Sequence, residues 1–248
     1  MKVVYILWLR QLKRFFRSTP RMIGSLGQPL LFLIAFGMGF GPIFAKAGQG
    51  NYIQFLAPGI IAMSILFTSV FSGIEIIWDR QFGFLKETLV APVSRLKIMI
   101  GRTLGGATVA VLQGVIVLLL SMLVGFRFTH WAMFPLSLLV MALIAIVFTA
   151  FGTAIASVMD DMHGFQMIMN FVIMPVFFLS GALFPLNGLP GALGTVVRFN
   201  PMTYGVDGLR YALAGAGTLG LGLDLVVLTG VAAAFSVIGS YLFSKIQV

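Results

Sequence analysis

Long apolar stretches broken by short basic gaps set the pattern of this chain. A helix rises about 1.5 Å per residue, so crossing a hydrocarbon core of roughly 30 Å takes about 20 apolar residues. Five stretches meet that length: Met22–Phe44, Phe55–Ile77, Leu104–Gly125, Ala132–Ser157 and Leu223–Phe243. A sixth, Phe165–Phe184, carries Pro175 in its middle, which a membrane helix tolerates when its neighbours satisfy the freed carbonyl. The first stretch is preceded by a different pattern. At helical spacing Val4, Tyr5, Trp8, Leu9, Leu12, Phe15 and Phe16 fall on one side, opposite Arg10, Lys13, Arg14 and Arg17. This predicts an amphipathic helix lying in the membrane interface over residues 1–21. Its arginines interrupt the apolar stretch that a secretory signal peptide needs.

The expected fold is an all-α polytopic membrane protein: an N-terminal amphipathic interfacial helix plus six transmembrane helices, one membrane domain over residues 1–248. Two connections are too long to be turns. Residues 78–103 hold the densest charge. Residues 185–222 are rich in Gly and Pro yet apolar, which predicts a re-entrant segment between helices five and six.

Composition agrees. Hydrophobic residues make up 59% and charged residues 9%, with a mean hydropathy of +1.05; a soluble domain of this length has no way to bury so much apolar surface. The net charge of +9 would suggest a nucleic-acid partner if it formed a patch, but the cations sit in the gaps between apolar stretches. Of the 16 Lys and Arg residues, all but Lys46, Arg127, Arg198 and Arg210 fall on the side that carries both termini. The positive-inside rule then places both termini in the cytoplasm, with no nucleic acid among the partners. Multi-pass insertion in a bacterial or archaeal plasma membrane is the expected localisation.

Catalytic chemistry finds little material. The chain has no cysteine and only His130 and His163, so thiol chemistry and a His-rich metal site are both excluded as expectations. No span has Asp, Glu, Lys, Arg or His in its middle: Glu75, Asp160, Asp161 and Asp224 all lie at span ends. An ion-coupled carrier usually places such groups near the midplane. The adjacent Asp160 and Asp161 read as a polar stop or helix cap. Glu75 reads either as a partner for an arginine of the interfacial helix or as a snorkelling end-of-span carboxylate. No G-x-x-x-x-G-K-[ST] phosphate cradle is present, so any ATP-driven step needs a separate subunit.

Two segments carry a family resemblance. Residues 78–95, Trp-Asp-Arg-Gln-Phe-Gly-Phe-Leu-Lys-Glu-Thr-Leu-Val-Ala-Pro-Val-Ser-Arg, follow Ala57-Pro58-Gly59-Ile60. Far downstream, Phe178-Leu-Ser-Gly-Ala-Leu-Phe-Pro185 precedes Asn200-Pro-Met-Thr-Tyr-Gly-Val-Asp-Gly-Leu-Arg210. Together they resemble the permease subunits of ABC type 2 exporters, closest to the drug-resistance, daunorubicin-type and lipo-oligosaccharide branches. The likeness covers nearly the whole chain.

The resemblance implies a second permease subunit, as a homodimer, and two copies of an ABC ATP-binding subunit that hold ATP and magnesium, with no cofactor on this chain. It implies an ATPase-coupling loop in which Arg80, Lys86, Glu87 and Arg95 surround an apolar anchor of Phe82, Phe84, Leu85 and Leu89. Exposed large apolar side chains need something to bury them, which favours a docking role over a merely solvated loop. Pro201, Tyr204, Asp207 and Arg210 are expected to hold the re-entrant segment together, with an Asp207–Arg210 ion pair at helical spacing. The translocation path, built from spans one, two and five in this family, takes Phe32, Phe36, Phe67, Phe71, Phe171 and Phe177 as candidate lining. Glycan exporters line their paths with Tyr and Trp; 24 Phe against five Tyr and three Trp favours export of a hydrophobic drug or lipid-like molecule. An ion-coupled carrier, a polysaccharide exporter permease of the same family and a non-transporting scaffold remain alternatives.

Overall fold

A computed structural model describes residues 2–48, 50–84, 93–186 and 190–245. Its described residues form helices and connecting turns. We number the helices α1 (Lys2–Arg17), α2 (Thr19–Lys46), α3 (Tyr52–Phe71), α4 (Ile74–Gln81), α5 (Arg95–Val124), α6 (Phe134–Val158), α7 (Met162–Phe178), α8 (Gly191–Phe199), α9 (Pro201–Ala214) and α10 (Leu221–Ser244). The chain is an all-α polytopic membrane protein. Among the described residues, five helical segments are long and apolar enough to cross a bilayer: Met22–Lys46, Tyr52–Gln81, Arg95–Val124, Trp131–Val158 and Leu221–Ser244.

The sixth expected crossing is shorter than its apolar sequence suggests. α7 ends at Phe178 rather than at Phe184, and Gly181 turns the chain at φ +74°. A π-helical turn at Met169–Ile173 immediately precedes Pro175. Proline has no N–H to donate and its ring crowds the carbonyl four residues back, and a widened turn relieves both. α5 departs in the opposite direction, starting at Arg95 rather than near Leu104, so the charged connection between spans two and three is shorter than 78–103.

Helix α3 is the central post. Every side chain from Leu56 to Leu66 is buried, enclosed by α2, α5, α6 and α9. Helices α2 and α10 are peripheral, presenting Leu31, Met38, Val226 and Val237 outward, the apolar covering that lipid requires. Close helix approach relies on small residues, as is usual within membranes. A Cβ on Gly73, just past the end of α3, would stand 2.4 Å from the carbonyl oxygen of Gly152 on α6, and one on Gly152 would stand 2.6 Å from that of Val70. Neighbouring backbones touch there with no side chain between them.

Contacts sort the helix ends into two faces. α1, α4, the start of α5 and the end of α10 share one, where Arg95 bonds the carbonyl of Ser244; we call it the amino-terminal face. Tyr52, the chain around Leu183 and the 200–219 region share the far face, tied by a 2.8 Å bond from the Tyr52 hydroxyl to the Leu183 carbonyl.

Candidate functional site

Chemistry at the amino-terminal face begins with how α1 is seated. Glycines at 101 and 105 flatten one side of α5, and α1 lies on them: added Cβ atoms would meet Leu7 Cβ at 3.0 Å and Gln11 Cγ at 2.6 Å. Trp8 Nε1 donates to Thr108 Oγ1 at 3.0 Å, and Phe15 is buried. Gly105→Leu should therefore lift α1 from α5 while leaving the span inserted. In lipid nanodiscs, trypsin should cut at Lys13 and Arg17 several-fold faster than in the parent chain; an unchanged cleavage rate would show that α1 is held elsewhere.

The basic side of α1 then reaches α4. Arg10 pairs with Asp79 at 3.3 Å, and Asp79 also pairs with Arg102 of α5. Arg14 pairs with Glu75 at 3.5 Å and stands 5.7 Å above the Trp78 ring. Asp79, Arg102 and Glu75 are all buried. Of the two readings open for Glu75, the arginine partner is the one the structure adopts. On the other side of α4, Arg80 bonds Asp160 and donates to the carbonyls of Met159 at 3.0 Å and Ser157 at 3.1 Å. A cation thereby satisfies the last carbonyls of α6, groups every helix end leaves unpaired. Trp78 Nε1 points to the Met162 sulfur at 2.9 Å, and Asp161 caps α7 by accepting from the Gly164 N–H at 2.7 Å. Helix α4 thus ties α1, α5, α6 and α7 together.

Several predicted coupling residues now have positions. Arg80 is turned into the bundle, not outward. Phe82 and Phe84 are exposed and border a 1010 Å³ groove with Arg10, Lys13, Arg14 and Arg17. Arg95 belongs to the first turn of α5 instead of a loop. Leu85, Lys86, Glu87 and Leu89 lie outside the described residues. Asp79 and Arg102, which join α1 to the core, were not among the residues singled out from sequence. In sequence Arg102 is one more cation of the connection between spans two and three, and Asp79 one residue of the family-like segment 78–95.

A cavity of about 370 Å³ opens beside this cluster, between α1, α2, α3, α4 and α5. Gln11, Gln28, Ser64, Thr68 and Glu75 supply polar lining; Phe15, Phe67, Phe71 and Trp78 supply aromatic lining. Of the phenylalanines proposed for a path, Phe67 and Phe71 are thus in its wall. Phe32 and Phe36 instead pack edge to face at 5.3 Å within α2. Phe177 is fully buried against Phe67, and Phe171 is exposed.

At the far face, α9 is built from the Asn200-Pro201 start. The Asn200 side chain accepts from the Met202 N–H at 2.9 Å and donates to the Val176 carbonyl at 2.6 Å, with Pro201 in the first turn, where no N–H is needed. The Tyr204 hydroxyl donates to the Arg198 carbonyl at 2.8 Å. Asp207 and Arg210 do not form the expected ion pair. Asp207 accepts from the N–H of Thr218 at 2.9 Å, from its hydroxyl at 2.8 Å and from the N–H of Leu219 at 2.8 Å. Arg210 donates through Nη2 to the carbonyl of Gly181 at 2.9 Å and lies 4.0 Å over the Phe55 ring. Burial lowers the Arg210 guanidinium to about 10, with Asp207 pulling upward, so it stays charged at neutral pH. Asp207 serves the N–H groups that open the 218–219 segment and Arg210 the carbonyl of Gly181, hydrogen bonds between side chain and loop backbone that outweigh helical spacing.

Comparison with known proteins decides the family. Residues 2–214 match the model of the ABC-2 type transporter family. The chain belongs to this ABC-2 type transporter family. It is similar to Nodulation protein J of Rhizobium leguminosarum bv. trifolii, 29% identical over 213 residues, covering 85% of this chain and 78% of the relative. It is 28% identical to the putative transport permease ycf38 of Cyanophora paradoxa over 254 residues, 94% of this chain and 86% of the relative. The inner membrane transport permease YadH of Escherichia coli K12 is 26% identical over 212 residues, 84% and 82% of the two chains. Membership makes this ABC-2 chain a membrane subunit of an ABC transporter, associated with an ABC ATP-binding subunit.

Proposed function

We propose that this chain is the permease half of an ATP-driven exporter that moves a hydrophobic drug or lipid-like molecule out of the cytoplasm, with two permeases above two ATP-binding subunits. The observation that carries the reading is the bracing of α4. Its two buried carboxylates are held by Arg10, Arg14 and Arg102, while Phe82 and Phe84 extend from its end at the same face. A rigid element joined to four other helices, with apolar side chains left outward, is suited to pass a push from a docked subunit into the bundle. The clustering of Lys and Arg at this face supports placing it, and both termini, in the cytoplasm. The mixed polar and aromatic cavity beside Phe67 and Phe71 supports an amphipathic cargo.

Phe84→Asp is expected to leave the chain inserted and the ATPase subunit undocked or uncoupled, and Glu87→Arg the same. The measurement is co-purification of the ATP-binding subunit and ATP-dependent transport in proteoliposomes. Normal docking and transport in both variants would remove the coupling assignment. Transport that runs on a proton or sodium gradient without ATP would replace the exporter reading with an ion-coupled carrier.

A further inference from the structure

A second cavity, of about 570 Å³, opens at the far face, and its chemistry is unlike that of the first. Arg210 lines it, only 6% exposed. Its bonds to the backbone carbonyls of Gly181 and Phe55 leave from Nη2, while Nε has no partner among the described residues. Gln54, also in the wall, has a buried Oε1 that accepts nothing from the described residues. Among the described residues no carboxylate lines the cavity, and Asp207 is committed to Thr218 and Leu219. Apolar wall comes from Phe44, Phe55, Pro185 and Leu186. A buried cation with an unused donor, an unused acceptor nearby and an apolar flank together specify a ligand.

We propose that this cavity binds an amphiphile whose headgroup joins an oxyanion, held by Arg210, to a hydroxyl, given to Gln54 Oε1, with its apolar portion against Phe44 and Leu186. A guanidinium presents donors in a fixed plane that matches phosphate or carboxylate oxygens. Phosphoglycerol and sugar-phosphate headgroups carry both functions. A bilayer lipid and a transported molecule are two sources of that chemistry. The proposal stands on the cavity alone and does not depend on the direction of transport.

The test uses the full-length chain in a detergent without phosphate groups, with dihexanoyl-phosphatidylglycerol and dihexanoyl-phosphatidylcholine as probes in calorimetric titration. The glycerol headgroup should bind about tenfold more tightly or better, because the choline headgroup offers no hydroxyl donor. Arg210→Lys should weaken that binding by about tenfold or more, since a lysine keeps the charge and loses the planar fork. Ala216→Trp fills the cavity from an exposed wall position without touching the Gly181 bond; it should abolish binding even if Arg210→Lys proves unstable. Mass spectrometry of the purified chain separates the sources. A co-purifying anionic lipid lost in Ala216→Trp assigns the cavity to a resident lipid, whereas probe binding with no such lipid assigns it to an incoming molecule. No binding by the parent chain, equal binding of both probes, or binding untouched by Ala216→Trp would overturn the proposal.

Discussion

Asp79→Ala is expected to yield a chain that inserts but melts roughly 10 °C below its parent, with most of the loss recovered in an Asp79→Leu, Arg102→Met double variant. Asp79 bridges Arg10 and Arg102, but the two partners are not equivalent. The Arg10 side chain is 46% exposed and can turn to water or headgroups, so its loss costs little. Arg102 is 6% exposed, and its Nε already lacks a partner among the described residues. Removing the carboxylate leaves a buried, uncompensated cation, a defect of about 3–5 kcal/mol, whereas replacing both ends by apolar groups of similar volume is often neutral. Arg102→Met alone should be damaging as well, by stranding Asp79 with only a half-exposed partner. Thermal unfolding of Asp79→Leu, Arg102→Met, their double variant and the parent in one detergent makes a double-mutant cycle. If the double variant were no more stable than Asp79→Ala, the carboxylate would matter through some contact other than Arg102.

Asp79 also marks where reading the sequence stops. Crossing helices are legible because bilayer thickness imposes a length and an apolar composition on each. Charge near the ends of those helices is ambiguous: Arg95, Lys97 and Arg102 look like a cytoplasmic loop, yet all three ride on α5, with Arg102 turned inward to Asp79. The residues that make this possible lie on three segments far apart in sequence, so no local spacing reveals the bridge. The end of α7 fails for a different reason. Leu179–Phe184 is nearly as apolar as the helix before it, and only Gly181, with its positive φ, betrays the turn. In α9 the Asp207–Arg210 spacing was visible but not the loop backbone that each side chain serves. One signal was available and unused: Gly101-x-x-x-Gly105 in an apolar helix is a recognised small-residue packing face, and here it is the seat of α1.

A packing contact of the same kind underlies the second large effect. Gly152→Val is expected to prevent recovery of a folded chain, whereas Gly230→Val should behave like the parent. Gly230 has nothing within 4 Å of an added Cβ, so a larger side chain there enters lipid or solvent space. At Gly152 the first added carbon meets the Val70 carbonyl oxygen at 2.6 Å and Val70 Cα at 2.9 Å. Added core volume costs about 1–3 kcal/mol where neighbouring side chains can shift. Here the obstacles are backbone atoms of the central post, and Gly73 presses on the Gly152 carbonyl from the other side. Relief requires α3 and α6 to separate, opening the interface buried most deeply in the bundle and shifting α4, which starts one residue after Gly73 and braces α1. Monodispersity by size-exclusion chromatography and the melting midpoint read the outcome for both variants. A well-folded Gly152→Val chain would mean that the two helices have room to part, and the close backbone contact would then be incidental to stability.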